Sequence, residues 1–321
     1  MVDVSIVIVC MNNLKNLYPC LEGIRKYTNK VTYETFVVAY LFTRDNLEKA
    51  KKDFPWVNYI ESNEIRGFSE NNNLALKQAK GEYCFVVNDD TEMRMPVIDR
   101  LFDSIEELPP NVAVISPVSY FADGKMQSCG RPPHTIKTYV LSSLKVYNEQ
   151  KTPSRYTYQP GVFQTYDLWG AFFLIKTSVF KEMGWFDERY FFSPEDIALS
   201  RKLNRRGYSC YVNSDVSIIH YEGMTGKGTS KLQVATKPAS FIGNLIYYSE
   251  DSPSRYVLVS ILFFFLCIPT YIYHFFLSKF GIDKERNTIL VKSVHNCMRV
   301  CFTSLTPKQA FLKYSQELLN I

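Results

Sequence analysis

The 321-residue chain is 46% hydrophobic and 21% charged, which excludes an intrinsically disordered chain and allows a sizeable buried core. Its net charge of +5 is uneven: residues 227–321 hold 11 Lys and Arg against 5 Asp and Glu, and residues 1–226 hold 26 against 27. A basic C-terminal third favours an anionic lipid or a membrane-bound substrate, with a plain solvated surface as the alternative. No nucleic-acid-binding motif accompanies the charge, so nucleic acid is not an expected partner.

The eight cysteines are scattered and form no CxxC pair, which argues against a zinc site or a thioredoxin-like site. Several lie inside apolar runs and are predicted to be buried free thiols in a reducing, cytosolic environment. Asp3 interrupts the first apolar run, so we expect the N-terminus to begin a strand and not a signal peptide.

Strand and helix patterns alternate in the first ninety residues. The predicted strands are Val4–Val9, Thr35–Leu41, Val57–Glu61 and Tyr83–Val87, and the predicted helices are Leu14–Tyr27, Asn46–Asp53 and Ser69–Ala79. This alternation is typical of an α/β fold with a mostly parallel sheet covered on both faces. Ligands of such sheets bind beyond the carboxyl ends of the strands.

The middle of the chain is less regular. Residues 124–166 are rich in Pro, Ser and Thr, and we interpret them as long loops near a site. A predicted strand precedes this stretch at Ala113–Ser116. Three more follow it, at Trp169–Lys176, Tyr208–Val212 and Val216–His220.

The C-terminal part differs in kind. Residues 256–278 form an apolar segment long enough to span a membrane, with Pro269 in its middle and basic residues on both flanks. Because the positive-inside rule favours both flanks on one side, we expect a segment in the membrane plane, or one that re-enters at Pro269, in preference to a single crossing. A buried core helix is the alternative. Thr306-Pro307 then begins a last amphipathic helix.

Two adjacent carboxylates follow a helix-start pattern at Ser193-Pro194-Glu195-Asp196. Ser193 suits an N-cap and Pro194 the first helical position, so both carboxylates would lie where the helix dipole favours their ionised form. An ionised carboxylate on a rigid helix end could abstract a proton. The alternative is simply a favourable helix start.

Three further segments have a functional and a structural interpretation. Asn88-Asp89-Asp90 ends a buried strand with carboxylates that suit Mg²⁺ or Mn²⁺, or it is an ordinary strand-to-loop turn. His220 closes a β-branched run, where a lone histidine is more often structural than a ligand. Residues 66–73 offer an arginine, a tight turn and three amides, which could bind a nucleotide diphosphate or only cap a helix.

In their order along residues 3–226, these segments resemble the inverting family 2 glycosyltransferases with the GT-A fold, near the bacterial rhamnosyltransferase-like members. The motifs that carry the resemblance are Val4-Ser5-Ile6-Val7-Ile8-Val9, Gly67-Phe68-Ser69-Glu70-Asn71-Asn72-Asn73, Gly81-Glu82-Tyr83, Val87-Asn88-Asp89-Asp90-Thr91, Trp169-Gly170-Ala171-Phe172-Phe173-Leu174-Ile175, Gly184-Trp185-Phe186-Asp187-Glu188-Arg189-Tyr190-Phe191, Glu195-Asp196 and His220. Each motif is weak alone, and their order makes the set specific.

The resemblance implies a role for each aligned residue. Asp90 falls on the Asp-x-Asp position and would bind a divalent metal, Mn²⁺ or Mg²⁺, with His220 as a later ligand. Asp196 would be the catalytic base with Glu195 beside it, and the acceptor site would include Trp169 and Arg201. The residues implied for the nucleotide-sugar donor are Val9, Cys10, Asn12, Glu61, Arg66, Asn73, Asn88 and Asp89.

The chain departs from the family pattern at three places. Asn88 replaces the first aspartate of Asp-x-Asp, so its contact with metal or ribose would be indirect. Cys10-Met11-Asn12 replaces the usual Thr-Tyr-Asn, which puts the usual ring contact to the nucleotide base in doubt. Ile65 stands where the family usually has an asparagine.

The expected organisation is a GT-A domain over residues 1–228, with a nucleotide-binding half (1–115) and an acceptor half (116–228), followed by a membrane-associating helical region (229–321). The expected reaction transfers a hexose or deoxyhexose, with inversion, from a UDP- or dTDP-sugar to a hydroxyl of a glycan or lipid-linked saccharide. We expect it to serve cell-surface polysaccharide synthesis. The expected location is the cytoplasmic face of the bacterial inner membrane. The alternatives are an enzyme that charges polyprenyl phosphate, a nucleotidyltransferase, and a non-catalytic sugar-nucleotide-binding protein.

Overall fold

A computed structural model describes residues 2–127, 130–148, 152–221 and 230–320. Contacts between Cα atoms divide the chain into two compact units. The first unit comprises Met1–Pro133, Glu149–Asp187 and Glu195–Met224, and the second comprises His134–Asn148, Glu188–Pro194 and Thr225–Ile321. The domain boundary predicted at residue 228 lies outside the described residues.

The first unit contains a mixed, mostly parallel sheet. Its strands are β1 (Val4–Met11), β2 (Tyr33–Tyr40), β3 (Asn58–Ser62), β4 (Tyr83–Asn88), β5 (Thr91–Glu92), β6 (Val112–Tyr120), β7 (Val162–Thr165), β8 (Phe172–Lys176) and β9 (Ser209–His220). The order is β3-β2-β1-β4-β8-β6-β9-β5, with β7 paired to β9. Strands β3, β2, β1 and β4 are mutually parallel, whereas β8 runs antiparallel to both β4 and β6.

Helices cover both faces of this sheet. They are α1 (Leu14–Tyr27), α2 (Arg44–Asp53), α3 (Phe68–Leu76), α4 (Val97–Glu106), α6 (Thr177–Glu182) and α7 (Glu195–Arg205). Alternate residues of β1 enter different cores: Ile6 and Ile8 pack with α1 and α4, and Val7 packs with α3, α6 and α7. Both faces are apolar because both are covered. The predicted α/β fold with a helix-flanked, mostly parallel sheet is confirmed.

Local expectations differ from the structure in three places. The two strands predicted within residues 208–220 are one strand, β9, which keeps pairing with β6 through a register shift near Pro117. The stretch predicted to be loops contains helix α5 (Ile136–Ser143) and strand β7. Helix α7 begins at Glu195, so Pro194 precedes the helix and does not occupy its first position.

The second unit is helical in its described residues. Besides α5 it contains α8 (Gln233–Ser249), α9 (Pro253–Lys279), α10 (Lys284–Val300) and α11 (Pro307–Ser315), which ends in a 3₁₀ turn at Gln316–Asn320. Helix α9 continues through Pro269 as one 27-residue element. It packs against α8 and α10, and only Val259, Ser260 and Phe263 of its residues are fully buried.

Candidate active site

The carboxyl ends of the parallel strands bring several predicted donor-site residues to one edge of the sheet. Val9 of β1 is paired with Asn88 of β4. Cys10 is paired with Ala39 of β2, which is paired in turn with Glu61 of β3. The register of four strands therefore places these residues at the end of the sheet where α/β proteins bind their ligands, with Val9 and Cys10 on opposite faces.

The predicted metal ligands Asp90 and His220 lie side by side. The Oδ1 atom of Asp90 is 3.3 Å from Nε2 of His220, and the two side chains are 17% and 5% exposed. The pairing of β5 with β9 brings them together, because Thr91 is the cross-strand partner of His220. The N–H of Tyr221 also donates to the carbonyl of Asp90 at 2.9 Å. Backbone hydrogen bonds therefore fix the separation of the two ligands.

Gln127 orients the His220 ring. Its Oε1 lies 3.1 Å from Nδ1 of His220 and accepts a hydrogen bond from the Ser119 hydroxyl at 2.9 Å. Its Nε2 donates to the carbonyl of His220 at 2.9 Å. Because an amide oxygen only accepts, Nδ1 donates to Gln127 in this arrangement, and Nε2 is the ring nitrogen that faces Asp90.

The donor atoms of Asp90 and His220 fit a divalent cation. Carboxylate oxygen with imidazole nitrogen suits Mn²⁺, and adjacent corners of an octahedron with ligands at about 2.1 Å lie about 3 Å apart. Within the part of the chain that the structure describes, no group of three His, Cys, Asp or Glu side chains could hold a metal ion. Two protein ligands would leave the other positions to water and to phosphate oxygens, as is usual beside nucleotides.

Asp89 points into a different environment from Asp90. Burial is the main cause that raises the pKa of its carboxyl group, to about 6, and the Asp90 charge adds to it. A hydrogen bond from the Cys10 thiol acts in the opposite direction. Burial also raises the pKa of Cys10 far above that of an ordinary thiol, so Cys10 is a neutral hydrogen-bond donor here.

The predicted base Asp196 lies in the first turn of α7, where three groups hold its carboxylate. Nη2 of Arg131 donates to Oδ2 at 2.7 Å, and the N–H of Gly170 donates to the same oxygen at 3.3 Å. The N–H of Ile197 donates to Oδ1 at 2.8 Å. The Arg131 and Asp196 side chains are 13% and 18% exposed. This partly buried ion pair fixes the direction of the carboxylate.

Arg131 has further partners that fix its own position. Its guanidinium also donates to the carbonyl of Leu168 and lies over the Trp169 ring, 4.8 Å from the ring centroid. Trp169, predicted in the acceptor site, is therefore adjacent to the base through one shared side chain.

Glu195 differs sharply from its neighbour Asp196. The residue is 8% exposed, and its Oε2 atom makes no hydrogen bond within the described residues. Burial, and secondarily the Asp196 charge, raises the pKa of the Glu195 carboxyl group well above its usual range. The two carboxyl groups therefore differ: Asp196 is ion-paired, whereas burial favours the protonated form of Glu195.

Two consecutive residues connect the base to the carboxylate segment. Gly170 donates to Asp196, and the carbonyl of the next residue, Ala171, accepts a hydrogen bond from the Asn88 N–H at 2.8 Å. One residue later, the Phe172 ring meets the His220 ring edge to face at 5.6 Å. The start of β8 therefore places Asp196, Asn88 and His220 in one neighbourhood.

Three predicted donor-site residues are hydrogen-bonded or ion-paired to nearby residues of the chain. Asn12 has a positive φ of 49°, and its Oδ1 accepts from the N–H of Thr43 at 3.0 Å. Glu61 is exposed and ion-pairs with Lys51 at 3.5 Å. Arg66 donates to Ser62 and Glu64, at 3.1 and 2.8 Å.

Asn73 and Arg201 lie away from these groups. The Asn73 amide donates to the Phe186 carbonyl at 2.9 Å and accepts from the Phe186 N–H at 3.2 Å, so it joins two backbone segments. Arg201 lies five residues after Asp196 on α7, about 140° round the helix, and therefore on a different face. Both remain predictions as ligand-binding residues.

Two residues of this site, Gln127 and Arg131, are absent from the sequence predictions. Both lie in the stretch 124–166, whose composition predicts loops and carries no periodic signal. The only nearby residue type that could have indicated a closely packed segment is Gly130. A Cβ there would lie 2.2 Å from the carbonyl oxygen of Tyr156, so the two backbones lie close together at this point.

The parallel sheet with carboxylates at its edge and an aspartate on a facing helix define an α/β protein of the GT-A fold class. Two solved structures share the fold. GalNAc-T7, crystallised with UDP, GalNAc and Mn²⁺, is 17% identical with a TM-score of 0.52, over 68% of this chain and 44% of its own. Mannosyltransferase PcManGT from Pyrobaculum calidifontis, in complex with GDP-Man and Mn²⁺, is 15% identical with a TM-score of 0.51, over 100% of this chain and 83% of its own.

The sequence pattern described as "Glycosyl transferase family 2" matches residues 5–184, and the chain belongs to this family. Three curated relatives are similar at low identity. They are O-antigen biosynthesis protein RfbC of Myxococcus xanthus (23% identical, 64% of this chain and 15% of the relative), N-acetylglucosaminyl-diphospho-decaprenol L-rhamnosyltransferase of Mycobacterium tuberculosis (28%, 50% and 54%) and rhamnosyltransferase WbbL of Escherichia coli (26%, 56% and 72%). The chain thus spans 15% of the first relative and about half of the second.

Proposed function

We propose that this chain is a metal-dependent, inverting glycosyltransferase that moves a sugar from a nucleoside-diphosphate sugar to a hydroxyl group of a saccharide. The observation that carries the proposal is the connection of Asp196 to Asn88 through Gly170 and Ala171. It supports a site where a base and a diphosphate-binding edge act on one substrate pair. Membership of family 2 supports the same reaction class.

In this mechanism Asp196 accepts the proton of the acceptor hydroxyl as that oxygen attacks the anomeric carbon. Its ion pair with Arg131 holds the carboxylate in one direction, and this positioning contributes much of the effect. Attack opposite the diphosphate leaving group inverts the configuration. A divalent cation held by Asp90 and His220 would neutralise the charge that develops on the diphosphate.

We further propose a UDP- or dTDP-linked hexose or deoxyhexose as donor and a lipid-linked saccharide as acceptor. The support comes from two relatives named rhamnosyltransferases, one of which is named for a decaprenyl-diphosphate-linked N-acetylglucosamine. Such an acceptor would place the enzyme in cell-surface polysaccharide synthesis, at the cytoplasmic face of the bacterial inner membrane.

The surface of α9 supports membrane association. Among the described residues, α9 is the one helix long and apolar enough to cross a membrane. Only 17% of its most apolar 18-residue stretch is buried, which argues against a helix of a soluble core. Its exposed apolar stripe follows the helical repeat. This stripe consists of Leu258, Ile261, Phe265, Ile272 and Phe276.

The packing of α9 favours a position in the membrane plane over a crossing. Helix α10 packs along α9 and carries Lys284, Glu285, Arg286 and Lys292. Lys292 lies near the middle of α10, so a crossing of the two packed helices would take it into hydrocarbon at a cost of about 2.5 to 3.5 kcal/mol. With α9 in the interface, the stripe enters the acyl boundary and the charges of α10 stay in water.

The reaction is tested with purified protein and Mn²⁺ over a panel of UDP-, dTDP- and GDP-sugars, with hydrolysis and transfer as readouts. We expect turnover of one donor class, and a loss of about 10²-fold or more in Asp196→Asn at unchanged melting temperature. Asp215→Asn, an exposed carboxylate on β9, is the matched control and should keep full activity. Full activity of Asp196→Asn would exclude it as the base.

Membrane association is tested by flotation with vesicles containing phosphatidylglycerol. We expect the paired substitution Phe265→Glu and Phe276→Glu to abolish flotation, because it places two charges in the stripe. Val162→Glu, at an exposed apolar position on β7, should float like the unmodified protein. Unchanged flotation of the stripe variant would exclude α9 as the membrane contact.

A further inference from the structure

A cavity of about 640 Å³ lies within the second unit, between the end of α5, the C-terminal half of α9 and the start of α10. One wall is apolar and includes Pro269, Tyr273 and Leu277 of α9. The lining also includes the cationic residues Lys145, just after α5, and Arg286 of α10. A lining that combines apolar residues with two cations fits an amphipathic anion better than a soluble sugar or a neutral molecule.

The charge of the cavity is positive. Among the described lining residues, Asp283 is the only acidic one. It lies 3.7 Å from Arg286, so the ion pair is loose, and both side chains are more than half exposed. Lys145 is exposed and forms no ion pair within the described residues. His274 is occupied, since its Nδ1 lies 2.7 Å from Oδ1 of the buried Asn287. Two cations against one carboxylate leave a net attraction for a phosphate group.

The walls are held in place by aromatic packing. The Tyr139 ring of α5 stacks on Phe263 of α9, with centroids 4.3 Å apart and planes at 12°, and also contacts Tyr248. The α5 helix ends four residues beyond Tyr139, so the segment that carries Lys145 is positioned against α9 by this stack.

The cavity adjoins the exposed apolar stripe of α9. Pro269 lines the cavity and lies on the helix between two stripe residues, four residues after Phe265 and three before Ile272. Tyr273, another lining residue of α9, is about 100° round the helix from Ile272. An acyl chain along the stripe therefore brings its own head group to the cavity mouth.

We propose that this cavity binds the phosphate head group of an anionic membrane lipid, with Lys145 and Arg286 as the phosphate ligands and the stripe along its acyl chains. The proposal rests on the membrane association proposed above for α9. It adds a defined site with two named cations to what would otherwise be a general attraction of basic residues to an anionic surface.

The test uses short-chain lipids below their micellar concentration, so that no bilayer is needed, with isothermal calorimetry on the full chain. Dihexanoyl phosphatidylglycerol should bind, and dihexanoyl phosphatidylcholine should bind at least tenfold more weakly. The paired substitution Lys145→Ala and Arg286→Ala should reduce the phosphatidylglycerol affinity about tenfold or more. The paired substitution Lys279→Ala and Lys284→Ala removes the same charge beside the same turn but outside the cavity lining, and should change the affinity less than twofold.

Several outcomes would overturn the proposal. Equal losses in the two paired variants would mean surface charge without a site, and no loss in either would exclude the cavity. Inorganic phosphate that binds as tightly as the lipid would show a phosphate site that makes no use of the apolar wall. Failure of vesicle flotation with intact short-chain binding would reject the membrane proposal alone, and neither readout depends on sugar transfer.

Discussion

Arg131 and Asp196 form a partly buried ion pair, with Nη2 of the arginine 2.7 Å from Oδ2 of the aspartate. The same guanidinium group donates to the Leu168 carbonyl and covers the Trp169 ring. One planar side chain therefore connects the candidate base, a backbone carbonyl and the candidate acceptor aromatic, and lysine cannot reproduce that geometry.

We expect Arg131→Lys to lower kcat about 10- to 100-fold, because the charge remains while the orientation of Asp196 is lost. The measurement is steady-state transfer kinetics, with kcat and KM separated. As a control, Arg206→Lys alters an exposed arginine that pairs with Glu182 and should leave kcat unchanged. An unaltered kcat in Arg131→Lys would mean that the ion pair is only structural.

Gly170 approaches Asp196 closely enough for a single methyl group to matter. A Cβ on Gly170 would lie 3.0 Å from Cβ of Asp196 and 3.5 Å from its Cγ. We expect Gly170→Ala to displace the carboxylate by a few tenths of an ångström and to reduce turnover about tenfold. Because Cβ of Asp196 is fixed by the backbone of α7, we also expect a modest fall in melting temperature. Full turnover would show that the site tolerates this displacement.

The raised pKa of Glu195 predicts that the free energy of unfolding depends on pH. Its pKa is raised from an ordinary value of 4.5, so the folded chain binds its proton more tightly than the unfolded chain. The resulting stabilisation is fully present below about pH 4.5 and is lost as pH rises toward the raised pKa. Glu195→Gln should therefore gain unfolding free energy relative to the unmodified protein between pH 5 and pH 8, by about 1 kcal/mol or more. Chemical denaturation at both pH values measures this, and parallel changes in the two proteins would contradict it.

Gln127 gives a prediction for metal binding. Its Oε1 fixes the ring and the protonated nitrogen of His220, and such partners of a metal-bound histidine typically contribute 10- to 100-fold in affinity. We expect Gln127→Ala to weaken Mn²⁺ binding by about this factor, measured by titration in the presence of the nucleotide. Gln164→Ala, at an exposed position on β7, is the control. Equal affinity in Gln127→Ala would show that its hydrogen bond to His220 does not support metal binding.

A substitution at Asn73 distinguishes a structural role of this asparagine from a ligand-binding role. Its amide makes reciprocal hydrogen bonds with the backbone of Phe186, and all of these groups are buried. Asn73→Ala leaves both backbone groups without this partner, so we expect a loss of about 2 kcal/mol or more in unfolding free energy. A weakened nucleotide affinity at unchanged stability would instead support the donor-site role predicted from the sequence.

Much of the fold follows from patterns that span only a few residues. Helix α1 has the predicted bounds Leu14–Tyr27, and β4 extends one residue beyond its predicted end at Val87. These elements were predictable because covered strands and amphipathic helices repeat their apolar residues at fixed intervals. Asp90 and His220 were identified through motif order, whereas their contact depends on the pairing of a two-residue strand, β5, that no composition signal marks.

Other parts of the site depend on contacts between distant segments. Arg131 meets Asp196 across 65 residues, and Gln127 meets His220 across 93. Neither position shows periodicity or a flanking motif, so only the folded chain relates them. The same holds for the separate states of Glu195 and Asp196, which differ in burial although they are adjacent in sequence.

The second unit takes His134–Asn148 from the middle of the chain and packs it with helices from the C-terminal end. Tyr139 therefore leaves the ribosome about 120 residues before the Phe263 ring on which it stacks. Because the ribosome adds about 5 to 20 residues per second, Tyr139 is without this partner for about 6 to 24 s during synthesis. A chain shortened to the region that matches the family would lack that partner permanently. Attempts to produce the sugar-transfer region by itself should therefore keep the C-terminal helices, or replace the aromatic residues of α5.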